Sequence, residues 1–126
     1  ASTTKYVSAV KAWQKYHPRN YRKKINELTN IATELVESLS ERNSSHFLTK
    51  IEEYDRGLEH LSKLSRTDFY NEAHKAMRKK VEFAHCQYKP SGAGGGDFGI
   101  ACSTEKNELL TLAKSLKQEH RYTFFL

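Results

Sequence analysis

The sequence predicts an α+β domain in which a helical layer packs on a small antiparallel sheet. Two observations carry this expectation. Through Met77, apolar residues recur at three- and four-residue steps, the period of amphipathic helices. Beyond His85 the pattern changes to short alternating runs around a glycine-rich segment, as strands joined by a loop would read. A chain of 126 residues has the length of one domain, residues 1–126.

Each element follows from local chemistry. Ser2, Thr3 and Thr4 offer capping hydroxyls to a first helix with Tyr6, Val7, Val10 and Trp13 at helical spacing. His17-Pro18 breaks that helix, and proline suits the first turn of the next. Ile25, Leu28, Ile31, Ala32, Leu35, Val36 and Leu39 then draw one long apolar face, punctuated by ERNSS at 41–45. Phe47, Ile51, Tyr54, Leu58, Leu61 and Leu64 draw a second, which Gly57 interrupts without ending. After SRTD (65–68) a shorter helix is expected to bury Phe69, Ala73, Ala76 and Met77. Residues 85–89 and 98–103 read as strands, with Phe98, Ile100 and Cys102 on one core face. A capped helix over 104–118 turns Leu109, Leu112, Ala113 and Leu116 inward, and RYTFFL (121–126) closes as a short strand.

Composition narrows the function classes. Hydrophobic residues make up 37% and charged residues 29%, the balance of a globular protein. No apolar run approaches the roughly 20 residues of a membrane helix, so no membrane partner is expected. Two cysteines, Cys86 and Cys102, do not make a disulfide scaffold; free thiols in a cytoplasmic protein are the expectation, with Cys102 a small core residue. A net charge of +6 draws anions. Arg19 through Lys24 and Arg78-Lys79-Lys80 are basic clusters, but Glu27, Glu34 and Glu37 follow on the same helix as the first. They read as solvated helix faces. The competing reading is a basic helical module for nucleic acid or an acidic partner. The histidines at 17, 46, 60, 74, 85 and 120 lack metal-ligand spacing and read as surface or supporting residues. Trp13, Tyr16 and Tyr21 read as packing at a helix junction.

The glycine-rich segment is the strongest functional signal. Five of the six glycines fall within KPSGAGGGDFGIACS, residues 89–103. A P-loop would end in Gly-Lys-Ser/Thr, and here the run ends in Asp97-Phe98. Gly94, Gly96 and Gly99 match a dinucleotide pattern in spacing, yet they lead into a strand where that fingerprint opens a helix. The remaining reading is a strand-to-strand loop whose successive N–H groups form an anion-binding concavity. Ser91 adds a hydroxyl and Lys89 a charge. Asp97 repels phosphate, so its place is to order the loop through backbone N–H groups, or to hold magnesium at one remove. No residue reads as a direct metal ligand.

KPSGAGGGDFGIA (89–101) resembles the third motif of the GHMP small-molecule kinases, in the form carried by phosphomevalonate kinases. Asp97 stands where the mevalonate kinase form has another glycine. Ala1-Ser2-Thr3 is similar to the stretch that opens the C-terminal domain of phosphomevalonate kinases. The resemblance implies a C-terminal, ferredoxin-like domain covering the substrate side of the cleft. It implies transfer of the ATP γ-phosphoryl group, with Mg2+, to 5-phosphomevalonate in the mevalonate route to isoprenoids. The motif by itself also admits another GHMP kinase with a different phosphorylated alcohol as acceptor. Ser91, Gly92 and Ala93 would lie beside the substrate phosphate, within a site completed by Lys89, Gly94, Gly95, Gly96 and Asp97. Ser2 would be a second donor at a helix start. The family's ATP loop, Pro-x-x-x-Gly-Leu-x-Ser-Ser-Ala, does not occur in this sequence. The nucleotide site and general base are therefore expected in an N-terminal domain, leaving this chain with no catalytic residue and no activity alone.

Overall fold

The computed structural model describes residues 3–91 and 98–119. Five helices and one hairpin follow in order: α1 (Thr3–Tyr16), α2 (Pro18–Ser40), α3 (Ser44–Leu64), α4 (Glu72–Phe83), β1 (Gln87–Pro90), β2 (Gly99–Cys102) and α5 (Lys106–Gln118). Pro18 opens α2, where a missing N–H costs nothing. Asn43 caps α3 by accepting from the His46 N–H at 3.1 Å, and Asn71 caps α4 by accepting from His74 at 3.0 Å. No helix among the described residues is long and apolar enough to cross a membrane.

The expected helical layer on a ferredoxin-like sheet is not what the chain builds. Among the described residues, 75% are helical and the sheet has two strands. The apolar faces of α2 and α3 meet each other instead of covering a sheet. Gly57 permits this closeness, since a Cβ there would stand 2.6 Å from Leu28 Cδ2. Residues 121–126, expected as a further strand, lie outside the described residues, as does Ser2.

Two apolar clusters form the core. Tyr6, Trp13, Leu28, Leu58, Leu61, Phe69 and Tyr70 unite the first three helices with the segment before α4. Val81, Cys86, Tyr88, Leu112 and Leu116 bind the end of α4, the hairpin and α5. Several expected core positions differ. Tyr16, Val36 and Leu39 are exposed. On α4 the buried face is His74, Arg78 and Val81, while Ala73 and Ala76 face solvent.

The expected core face of β2 fails at Phe98 and Ile100. Tyr88 pairs with Ala101, and these two enter the core, while Gly99 is exposed and Cys102 half-buried. Phe98 and Ile100 lie exposed, Ile100 at 43%. Ile100→Ala is therefore expected to change stability by less than about 1 kcal/mol, against the several kcal/mol of a buried position. The midpoint of urea denaturation measures it.

Candidate functional site

The glycine-rich segment joins β1 to β2 in an antiparallel hairpin. Beyond the last paired residues, the Ser91 N–H donates to the Phe98 carbonyl at 3.1 Å, so the turn is closed at its base. Gly92, Ala93, Gly94, Gly95, Gly96 and Asp97 lie outside the described residues. Ser91 is exposed, and its backbone N–H is already engaged within the hairpin.

Lys89 turns inward. Its ammonium donates to the Pro90 carbonyl at 2.7 Å and stands 5.8 Å from the centre of the Tyr54 ring. Burial pushes it below its ordinary pKa, against the pull of nearby Cys102 and Asp55. Lys89 thus grips the backbone at the end of β1. Burial also pushes the Cys86 and Cys102 thiols upward, which suits packing residues rather than nucleophiles.

A polar network unforeseen from the sequence lies beneath the hairpin. Arg78 of α4 reaches two carboxylates of α3: Asp55 at 3.1 Å and both Glu59 oxygens at 3.0 Å. The Tyr70 hydroxyl donates to Asp55 at 2.5 Å, and the Arg78 guanidinium covers the Tyr70 ring at 5.1 Å. Burial raises the Asp55 pKa, opposed by hydrogen bonds from Tyr70 and Arg78. Burial and the neighbouring carboxylate hold Tyr70 firmly protonated. Burial works against the charge on Arg78, but its bonds to Asp55 and Glu59 outweigh that. Next to this group, His74 Nδ1 and the Tyr88 hydroxyl share a 2.7 Å hydrogen bond, linking α4 to β1.

The sequence places His74 among surface or supporting residues and Arg78 on a solvated basic face; both are buried. Lys80 pairs with Glu119 at 2.5 Å. Lys24, from the other basic cluster, is buried against His60 at 3.0 Å and Glu27 at 3.3 Å. These contacts remove cations from both expected patches.

Two concavities open elsewhere. One of about 410 Å³ lies beside Glu59, Ser62, Thr67, Tyr70 and Asn71. Another of about 620 Å³ lies between α2 and α3, where Lys50 is held between Glu34 at 2.5 Å and Glu53 at 2.8 Å. Both mix charges of opposite sign and neither is lined by the hairpin. Among the described residues no group of three His, Cys, Asp or Glu side chains could hold a metal ion.

Burial lowers the His74 pKa from its ordinary 6.5, and the Asp55 charge only partly offsets it. The Tyr70 and Tyr88 rings also flank the His74 ring. As pH falls through 6.5, the unfolded chain takes up this proton before the folded one does. Stability contributed by neutral His74 is therefore intact above 6.5 and lost progressively below it, down to the folded-state pKa. In parallel denaturations from neutral to mildly acid pH, His74→Gln is expected to show a shallower decline than the wild type.

No family model and no curated protein sequence matches the chain. Among solved structures, a Lin0012 protein from Listeria innocua is similar, with a TM-score of 0.87 and 24% identity over 95% of this chain. The chain spans 34% of that protein's length. This likeness establishes the helices-and-hairpin fold within a longer polypeptide of that organism.

Proposed function

We propose that this chain forms the substrate-side part of a small-molecule kinase of the GHMP type, with 5-phosphomevalonate as phosphoryl acceptor. The observation that carries the reading is the position of its motif. Its described residues, Lys89 to Ser91 and Phe98 to Ala101, flank one antiparallel hairpin, joined by the Ser91–Phe98 bond, with Lys89 donating to the Pro90 carbonyl. Both reactants in such a transfer are anions, so positioning and charge neutralisation dominate catalysis. In this reading the exposed Ser91 offers its hydroxyl to the acceptor's existing phosphate, and Lys89 adds positive charge at the base of the hairpin. ATP, Mg2+ and the general base belong, in this reading, to a further part of the protein.

Equilibrium binding tests the reading. The 126-residue chain is expected to bind 5-phosphomevalonate weakly and saturably, while ADP release with ATP and Mg2+ stays at background. Tight binding of duplex DNA that falls steeply with salt, with none of 5-phosphomevalonate, would establish the basic-module reading instead.

A further inference from the structure

We infer that Tyr88, His74 and Gly99 form a lock that positions both ends of the hairpin turn, an inference resting on the acceptor-phosphate reading above. Tyr88 is opposite Ala101, so Gly99 is its diagonal neighbour on the same face of the sheet. A Cβ at position 99 would overlap Cε1, Cζ and the hydroxyl of Tyr88. The tyrosine ring lies across the Gly99 backbone, and only glycine leaves it room.

At the far end of that ring, the hydroxyl meets His74 Nδ1 at 2.7 Å. Both residues are buried, His74 at 4% exposure and Tyr88 at 4%. The contact thus runs from buried His74 on α4 through buried Tyr88 on β1 to Gly99 at the exposed start of β2. Gly99 is joined directly to Phe98, whose carbonyl receives the Ser91 N–H. Holding Gly99 against Tyr88 therefore fixes the two described residues that flank the turn. Within the motif, Gly99 has a steric role distinct from the ligand-facing role expected of the earlier glycines. His74 and Tyr88 act through the hairpin and are positioning residues.

Amide NMR and 5-phosphomevalonate titration of Gly99→Ala, Tyr88→Leu and the double variant test the lock. Gly99→Ala is expected to displace the Ser91 and Phe98 amide signals and to weaken binding by at least about tenfold. In the Tyr88→Leu background the same change is expected to add less than about twofold, because the clashing ring is gone. Tyr88→Phe retains the ring and core packing; it should remain folded at the titration temperature yet lose affinity. Equal effects of Gly99→Ala in both backgrounds would overturn the lock, as would unmoved Ser91 and Phe98 signals. If the wild type binds no 5-phosphomevalonate, the acceptor reading fails, and the amide signals alone still decide the lock.

Discussion

Arg78→Ala is expected to destabilise the protein by about 3–5 kcal/mol, because it leaves a buried carboxylate without its cation. Asp55 is 1% exposed and depends on Arg78 and Tyr70 to hold its charge. With Arg78 removed, Asp55 must take up a proton or remain uncompensated, and Glu59 loses a two-pronged partner. Arg78→Lys is expected to recover little, since a single ammonium cannot span Asp55, Glu59 and the Tyr70 ring together. Adding Asp55→Asn to Arg78→Ala should restore part of the loss, because it removes the stranded charge. Urea denaturation followed by far-UV circular dichroism measures all three. A loss below about 1 kcal/mol for Arg78→Ala would mean that the network is solvated.

Trp13→Ala is expected to cost a similar amount, about 3–5 kcal/mol, through a different mechanism. The α1 helix enters the core with two buried residues, Tyr6 and Trp13. Tyr6 meets Phe69 edge-on at 6.0 Å, and Trp13 meets Tyr21 edge-on at 5.9 Å. Removing the indole leaves a large cavity and one remaining anchor. The hairpin belongs to the other apolar cluster, which shares no residue with that of Trp13. Hydrogen exchange should therefore quicken throughout α1 and change little in β1 and β2. Uniform acceleration in both regions would show that the two clusters unfold as one unit.

The helices are legible in the sequence because apolar residues at three- and four-residue steps line up only on a helical backbone. His17-Pro18 marks the boundary between α1 and α2, and Gly57 lies within a helix as its neighbours' spacing implies. The fold class is not legible. Two short strands suggest a sheet large enough to carry a helical layer, whereas α2 and α3 satisfy their apolar faces against each other.

The expected core face of β2 fails at Phe98 and Ile100 for a reason of volume. Phe98, Ile100 and Cys102 are the larger alternating side chains, and large apolar side chains ordinarily face the core. Tyr88 already fills the core side of the hairpin, which leaves room there only for Gly99 and Ala101. The supporting network is hidden by polarity, since acidic and basic residues at helical spacing resemble a solvated surface. One signal is nevertheless present. Asp55 and Glu59 on α3, and His74 and Arg78 on α4, are each four residues apart, so two consecutive helices carry complementary polar stripes. The glycine-rich motif is visible in the sequence, and the structure adds Lys89's inward grip and the Ser91–Phe98 bond.

The proposed function requires the hairpin turn to receive a phosphate. Titration of the isotopically labelled chain with 5-phosphomevalonate, and in parallel with mevalonate lacking the phosphate, tests this most directly. Saturable shifts of the Ser91 and Phe98 amide signals with 5-phosphomevalonate, absent with mevalonate, are the predicted result. Unmoved signals at both positions, or equal shifts with both compounds, would contradict it.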